Sequence, residues 1–301
     1  MSRLAQNLQL LDDDSGSGST WGNLPGGPSA AEPAALASLA LACHRQYDAA
    51  RRPAQWLADL QARDGSVGIN ASQQRPAWPT SLAMLAWNYL DVATQETCFP
   101  EHKDRAIRWS LETRGTTAPQ QAHVGHDTTL TGWSWADNTH SWVEPTAMFV
   151  MALQAVGLGE HPRVREAVRL LIDRLLPEGG CNYGNTIVLG QTLLPHVQPT
   201  GLALAALARE DASDPRIEKS LHYLERELSG DLATASLCYG LLGLTANGRR
   251  PARASDWLGA ALDRETAQAS SCYKLALIAL ASSDRLDWLS PSKLQVAEAV
   301  S

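Results

Sequence analysis

No stretch of the 301-residue chain is apolar for long enough to cross a bilayer, so nothing in it reads as a transmembrane helix. Positive charge is also short: 25 Lys and Arg stand against 32 Asp and Glu, a net charge of -7. That leaves no basic face for a phosphate backbone and argues against nucleic acid as a partner. Cysteine is scarce. The five present are an odd number with no Cys-x-x-Cys pair, which excludes a disulfide framework and a zinc finger and predicts a reduced, cytoplasmic protein. Residues 1–11 hold one Arg and no apolar block, so no secretory signal is expected. Strand signals are almost absent. What is present, 44% hydrophobic residues over 301 positions, is ample for a buried core.

That hydrophobicity is arranged as a repeat. Trp133 lies eleven residues before Glu144-Pro145, and Trp21 lies eleven before Glu32-Pro33. Each proline opens a nearly all-apolar segment, where its fixed φ suits a first helical turn. Trp78-Pro79-Thr80 and Gln198-Pro199-Thr200 begin two more copies. Apolar helices are predicted near Pro33–Cys43, Pro79–Leu90, Pro145–Val156, Pro199–Ala208, Leu232–Leu244 and Ala267–Ala281. Each is followed by an amphipathic, charged helix near Pro53–Ala62, Glu101–Arg114, His161–Leu176, Pro215–Leu228, Pro251–Leu262 and Pro291–Val300, the last with Ser290 as N-cap. Helices apolar on every face are surrounded by protein, and an open solenoid would show a polar concave side instead. The expected fold is all-α, a closed (α/α)6 toroid over 31–301. The acidic and Gly/Ser-rich residues 1–30 read as a flexible lead-in and rim loop.

At the first outer helix the sequence becomes more specific. Trp56-Leu57-x-x-x-Gln61 followed by Gly65-Ser66-Val67 resembles the repeat motif of the terpenoid cyclases (squalene–hopene and oxidosqualene cyclases). There an aromatic-Leu pair, a Gln and a Gly-x-Trp staple one hairpin to the next. Val67 stands where that motif has Trp. Tyr223-Leu224 and Trp257-Leu258 repeat the aromatic-Leu start, with Leu228 and Leu262 in place of Gln, and Gly179-Gly180-Cys181-Asn182-Tyr183-Gly184 echoes the end. The chain is thus similar to the prenyltransferase and squalene-cyclase repeat superfamily over about residues 30–285. The resemblance implies the ring fold and a central cavity for an isoprenoid-like ligand. The family chemistries are unmarked, however. There is no Asp-x-Asp-Asp-Thr acid, no Asp-x-Cys zinc pair and no thioester motif, and Cys43-His44 lacks the glycines of the lanthionine cyclases.

In a ring of antiparallel hairpins, all loops entering the inner helices share one rim. Those loops are the long ones, 12–31, 115–143 and 177–197, and long loops carry function. Trp21, Trp78, Trp133, Trp135 and Trp142 fall on or beside them, so this rim is expected to be the mouth of a cavity. Glu32 and Glu144 begin inner helices; each reads either as a helix cap or, for Glu144 with His140, as a catalytic acid or base, with the helix N-terminus lowering the Glu144 pKa. The tryptophans, with Glu32, Tyr183 and His196, would hold a ligand, or else the tryptophans staple the loops to the ring. Cys181, in the same Gly-rich turn, is read as structural. No cofactor is predicted. Zinc at His123, His126 and Asp127 stays open, with the right ligand types but no family motif.

These residues lead to a toroid binding an apolar, isoprenoid-like ligand, as a cyclase or transferase if it is an enzyme. The alternatives are a module gripping a partner protein or peptide with its Trp-rich rim, and a glycan-active (α/α)6 enzyme using paired carboxylates and Trp platforms.

Overall fold

The computed structural model describes residues 2–13, 21–24, 26–120, 124–210, 213–267 and 271–289. Among them are α1 (Arg3–Asp13), α2 (Ala31–Cys43), α3 (Tyr47–Leu60), α4 (Thr80–Thr94), α5 (Pro100–Glu112) and α6 (Val143–Ala155). Then follow α7 (Pro162–Asp173), α8 (Val197–Leu207), α9 (Pro215–Glu227), α10 (Thr234–Ala246), α11 (Ala254–Ala267) and α12 (Cys272–Ala281). The strands described are one small hairpin, β1 (Ile187–Val188) and β2 (Gln191–Thr192), in the loop before α8. Each even-numbered helix packs on the next, and α12 packs back on α2, so the inner ring closes. The odd-numbered helices lie outside it against the inner helices. The fold is the all-α (α/α)6 toroid that the repeat predicts. Every residue of α6 is buried, whereas α9 buries only Ser220, Leu221, Tyr223 and Leu224 along one stripe.

The ends of the chain differ from expectation. An outer helix over Pro291–Val300, capped by Ser290, lies outside the described residues. The sixth outer place belongs to α1, within the segment read as a flexible lead-in; it packs on α11, α12 and α2. Leu8 and Leu11 are buried beneath it, Asn7 Nδ2 donates to Leu275 O at 3.1 Å, and Arg3 pairs with Asp263. Helix α3 starts six residues before Pro53, with the proline ring buried inside it. Ion pairs from Arg51 to Glu96 and from Arg52 to Asp12 hold the turn in front of the proline.

Three inner helices carry Pro-Thr at their start, and each threonine makes the same bond. Thr80 Oγ1 accepts from Val67 N at 2.8 Å, Thr146 Oγ1 from Trp133 N at 3.0 Å and Thr200 Oγ1 from Cys181 N at 2.9 Å. These fasten each incoming loop to its inner helix and satisfy a buried N–H. A second fastening joins outer helices. Gly65 has φ +95°, and a Cβ there would lie 2.3 Å from Arg105 O on α5; Gly179 repeats this with φ +95° and 2.4 Å to Lys219 O on α9. Only glycine fits such a turn. Gln61 completes the first staple: its amide donates to Gly65 O and His102 O, and its carbonyl accepts from Arg105 Nη2 at 2.6 Å.

The same register organises the lumen in layers. The second residue of α2, α6, α8 and α12 is Glu32, Glu144, Gln198 and Tyr273. Trp78 holds the equivalent place before Pro79. Four and seven residues farther on come Leu36 and Leu39, Leu82 and Leu85, and Met148 and Met151, all lining the axis with Tyr239 and Leu242. The seam is polar at the mouth and apolar below. Trp288, in a 3₁₀ turn at Asp287–Leu289 that packs on α2, α4 and α6, closes the far end. The side chains nearly fill this space, and the axial cavity left is about 20 Å³. That is small beside the ~300 Å³ or more that is typical of small-molecule sites.

Candidate functional site

Glu32 and Glu144 come from helices two places apart in the ring, yet they interact electrostatically. Neither caps its helix through its side chain. Glu144 is 4% exposed, Glu32 keeps some exposure, and Glu144 Oε1 has no hydrogen-bond partner. Burial pushes the Glu32 carboxyl up to about 8, with the Glu144 charge adding to the effect. Burial likewise raises Glu144 to about 7, although a hydrogen bond from Gln198 favours its ionised form. The helix N-terminus was expected to lower this pKa. Desolvation outweighs it, because an ion loses far more on leaving water than a helix end returns.

Tyr239 and Tyr273 complete the group. Burial raises both phenols, and each feels the two carboxylates. Tyr239 is 3% exposed, and its hydroxyl oxygen lacks a geometric hydrogen bond. At the mouth, then, two acids, the Tyr273 phenol and the Gln198 amide converge, with the Tyr239 phenol one turn below them. The arrangement suits proton donation and acceptance within one site.

The other expected residues divide into three groups. Trp78 and Trp135 meet edge to face at 4.7 Å, both partly exposed, on the rim beside this layer. His140 stacks on Trp142 at 4.6 Å, and Tyr183 packs on His196 at 4.9 Å; these pairs lie on the rim loops. Trp133 and Trp21 are core. Trp133 is 1% exposed, donates from Nε1 to Ser110 O, stacks on Phe149 and lies under Arg163 at 3.9 Å. Trp21 is buried against Trp56. Both are staples rather than ligand contacts. Cys181 is fully buried, and burial drives its thiol up to about 12, which makes it unreactive.

His123 lies outside the described residues. His126 is buried, with burial and the nearby Arg174 lowering its pKa to about 4, while Asp127 is spent on Thr129 N and Oγ1. Among the described residues no three His, Cys, Asp or Glu converge as a metal would require. With His126, His140 lines a separate rim cavity of about 320 Å³ between the long loop before α6 and the turn before β1. Of the mouth residues, Gln198, Tyr239 and Tyr273 were missed in the sequence. Gln198 was marked by its Pro, but Tyr273 begins an inner helix that lacks one.

No protein-family model matches the sequence, and no curated protein matches it. Solved structures do match in fold. A glycosidase variant with a glutamate changed to alanine superposes with a TM-score of 0.64 at 10% identity, covering 96% of this chain and 97% of its own. A second glutamate variant, in complex with glucose, gives 0.60 at 10% identity over the same shares. The type II terpene cyclase MstE from Scytonema gives 0.57 at 15% identity, covering 88% of this chain and 80% of its own. The fold class is therefore the α/α toroid shared by terpene cyclases and glycosidases. Among the described residues no helix is long and apolar enough to cross a membrane.

Proposed function

We propose that the protein is a carboxylate-dependent enzyme acting on a sugar-type substrate at the mouth of the ring. The observation that carries this is the pair Glu32 and Glu144: two acids raised to about 8 and about 7, in one layer, above a filled lumen. A carboxyl group still protonated near neutral pH can donate to a glycosidic oxygen. Glu32 is that donor. Glu144, partly ionised at the same pH, is the partner that takes a proton from water or attacks the sugar carbon. In either course the C–O bond breaks, the Glu32 proton goes to the leaving oxygen, and one water is consumed. Trp78 and Trp135 offer the aromatic faces on which a sugar ring packs. The likeness in fold to two glycosidases supports the reading by analogy alone.

The isoprenoid ligand implied by the sequence resemblance would have to sit below the mouth, where about 20 Å³ is open. It ranks behind for that reason. A partner-binding rim is the second reading, favoured by the hairpin: Leu189 at its tip is 96% exposed and Leu194 beside it 77%. The test is release of reducing sugar, or of nitrophenol from aryl glycosides, across a panel of α- and β-linked substrates. Turnover that falls by ~10²-fold or more in both Glu32→Gln and Glu144→Gln, with circular dichroism unchanged, is expected. No turnover on any member of the panel, or full turnover in either variant, overturns the proposal.

A further inference from the structure

The rim cavity of about 320 Å³ stands apart from the carboxylate layer but is joined to it by three residues of chain. Ser141 lies in its wall, Trp142 follows, and Val143 and Glu144 open α6. Gly184 forms another part of the wall and packs on Trp142, where a Cβ would come within 3.7 Å of the indole. The polar lining is unusual in kind. It consists of the hydroxyls of Thr116, Thr117 and Thr128, the amide of Asn185, the imidazoles of His126 and His140, and the guanidinium of Arg174.

The charge in this cavity is already balanced. Arg174 is 5% exposed, pairs with Asp173 and donates to the Asp127 carbonyl at 3.2 Å, so its positive charge meets two carboxylates nearby. His126 and His140 are both held toward the neutral form, first by burial and then by Arg174. A phosphate or carboxylate would find no unmatched positive charge. Among the described residues no three His, Cys, Asp or Glu converge here. What the cavity offers is a set of neutral donors and acceptors around a space large enough for a small ligand. That is the chemistry of a sugar ring.

From the hydroxyl, amide and imidazole lining of this cavity and the short stretch of chain that links its wall to Glu144, we infer that it is a distal subsite for a neutral mono- or disaccharide unit. The inference rests on the sugar-type reading of the mouth and extends it: the substrate is an oligosaccharide whose chain runs from the carboxylates across the rim. The His140–Trp142 and Tyr183–His196 pairs, on the loops before α6 and α8, add exposed aromatic surface for successive units. A long-chain substrate also accounts for the length of the loop before α6, which builds most of the cavity wall.

The test is binding read directly, without turnover. Histidine ring resonances are followed by NMR in wild type and in Glu32→Gln while neutral gluco-, galacto- and manno-configured disaccharides are added at millimolar concentration. Glucuronate and inorganic phosphate are run in parallel. The expected result is that a neutral disaccharide shifts His126 and His140 in both proteins. Asn185→Ala and His140→Ala should each weaken that binding about tenfold, read in His140→Ala on His126 alone. Shifts produced only by glucuronate or phosphate, or by no probe at all, overturn the inference. Sugar shifts in a protein that cleaves no glycan would uphold this subsite while removing the enzymatic reading of the mouth.

Discussion

Replacing Glu144 by Gln keeps the shape of the side chain and removes its charge, and the structure fixes how stability should respond to pH. In the unfolded chain the group titrates at 4.5; in the folded ring burial moves it to about 7. The folded state therefore binds the proton more tightly. The stability this confers is fully present below 4.5 and is lost as pH rises toward and through about 7, above which the loss levels off. A shift from 4.5 to about 7 corresponds to about 3 kcal/mol in total. The glutamine variant carries no such dependence at this position. Urea denaturation of both proteins at a series of pH values measures it: the variant gains on wild type as pH rises, by about 3 kcal/mol between acid and alkaline ends. Glu32 still titrates in both; the part of its shift due to burial cancels in the difference, and the smaller part due to the Glu144 charge is lost in the variant. Parallel profiles for the two proteins would refute the claim that Glu144 is desolvated in the ring. They would return it to the role of an exposed residue at a helix start.

The fastenings make further predictions. Thr200→Val leaves Cys181 N without its acceptor and should cost about 1–3 kcal/mol in chemical denaturation; Thr80→Val and Thr146→Val should cost alike, and the three should add because the sites share no partner. Gly179→Ala forces a Cβ to within 2.4 Å of Lys219 O at φ +95°, so a fall in melting temperature larger than that of any threonine variant is expected. Trp288→Ala removes the floor of the lumen, destabilising the fold by about 3–5 kcal/mol. It also opens a path for an apolar dye, visible as a gain in fluorescence that wild type lacks.

The ring was legible because its cause is local and repeated. Pro33, Pro79, Pro145 and Pro199 mark four of six inner helices, and the all-round apolar composition behind each has no stable place except inside a closed bundle. The staple at Gln61 and Gly65 was legible for the same reason: Gln61 and the turn it bonds at Gly65 lie within five residues, although its other bonds reach His102 and Arg105 on α5. The role of α1 was hidden. Its apolar residues Leu4, Leu8 and Leu11 make a short stripe beside an acidic and Gly/Ser-rich stretch. What makes it an outer helix is contact with α12, where the Asn7–Leu275 bond spans 268 residues of chain. Trp133 was misplaced because a loop tryptophan looks the same whether it points into a mouth or into Phe149.

The site was half legible, and the missing half has a physical explanation. Glu32 and Glu144 were visible through the Pro that follows each, but their environment is set by residues that no local pattern links to them. Burial within the closed ring raises both acids first; the Glu144 charge on α6 adds to the shift of Glu32, Gln198 of α8 tempers that of Glu144, and the phenols nearby come from α10 and α12. A ring collects one residue from each helix into a layer. Each layer's chemistry is thus a property of the closure and of the common register. With that register known, the mouth reads directly as Glu32, Trp78, Glu144, Gln198, Ala235 and Tyr273, one from each inner helix. Burial raises both acids, and the Glu144 charge adds to the shift of Glu32, only if water is kept out beneath them. The leucine and methionine layers, floored by Trp288, provide that exclusion. The filled lumen and the perturbed carboxylates are in this way one design: space below the mouth that would admit an isoprenoid would also admit water and return both acids toward their ordinary values.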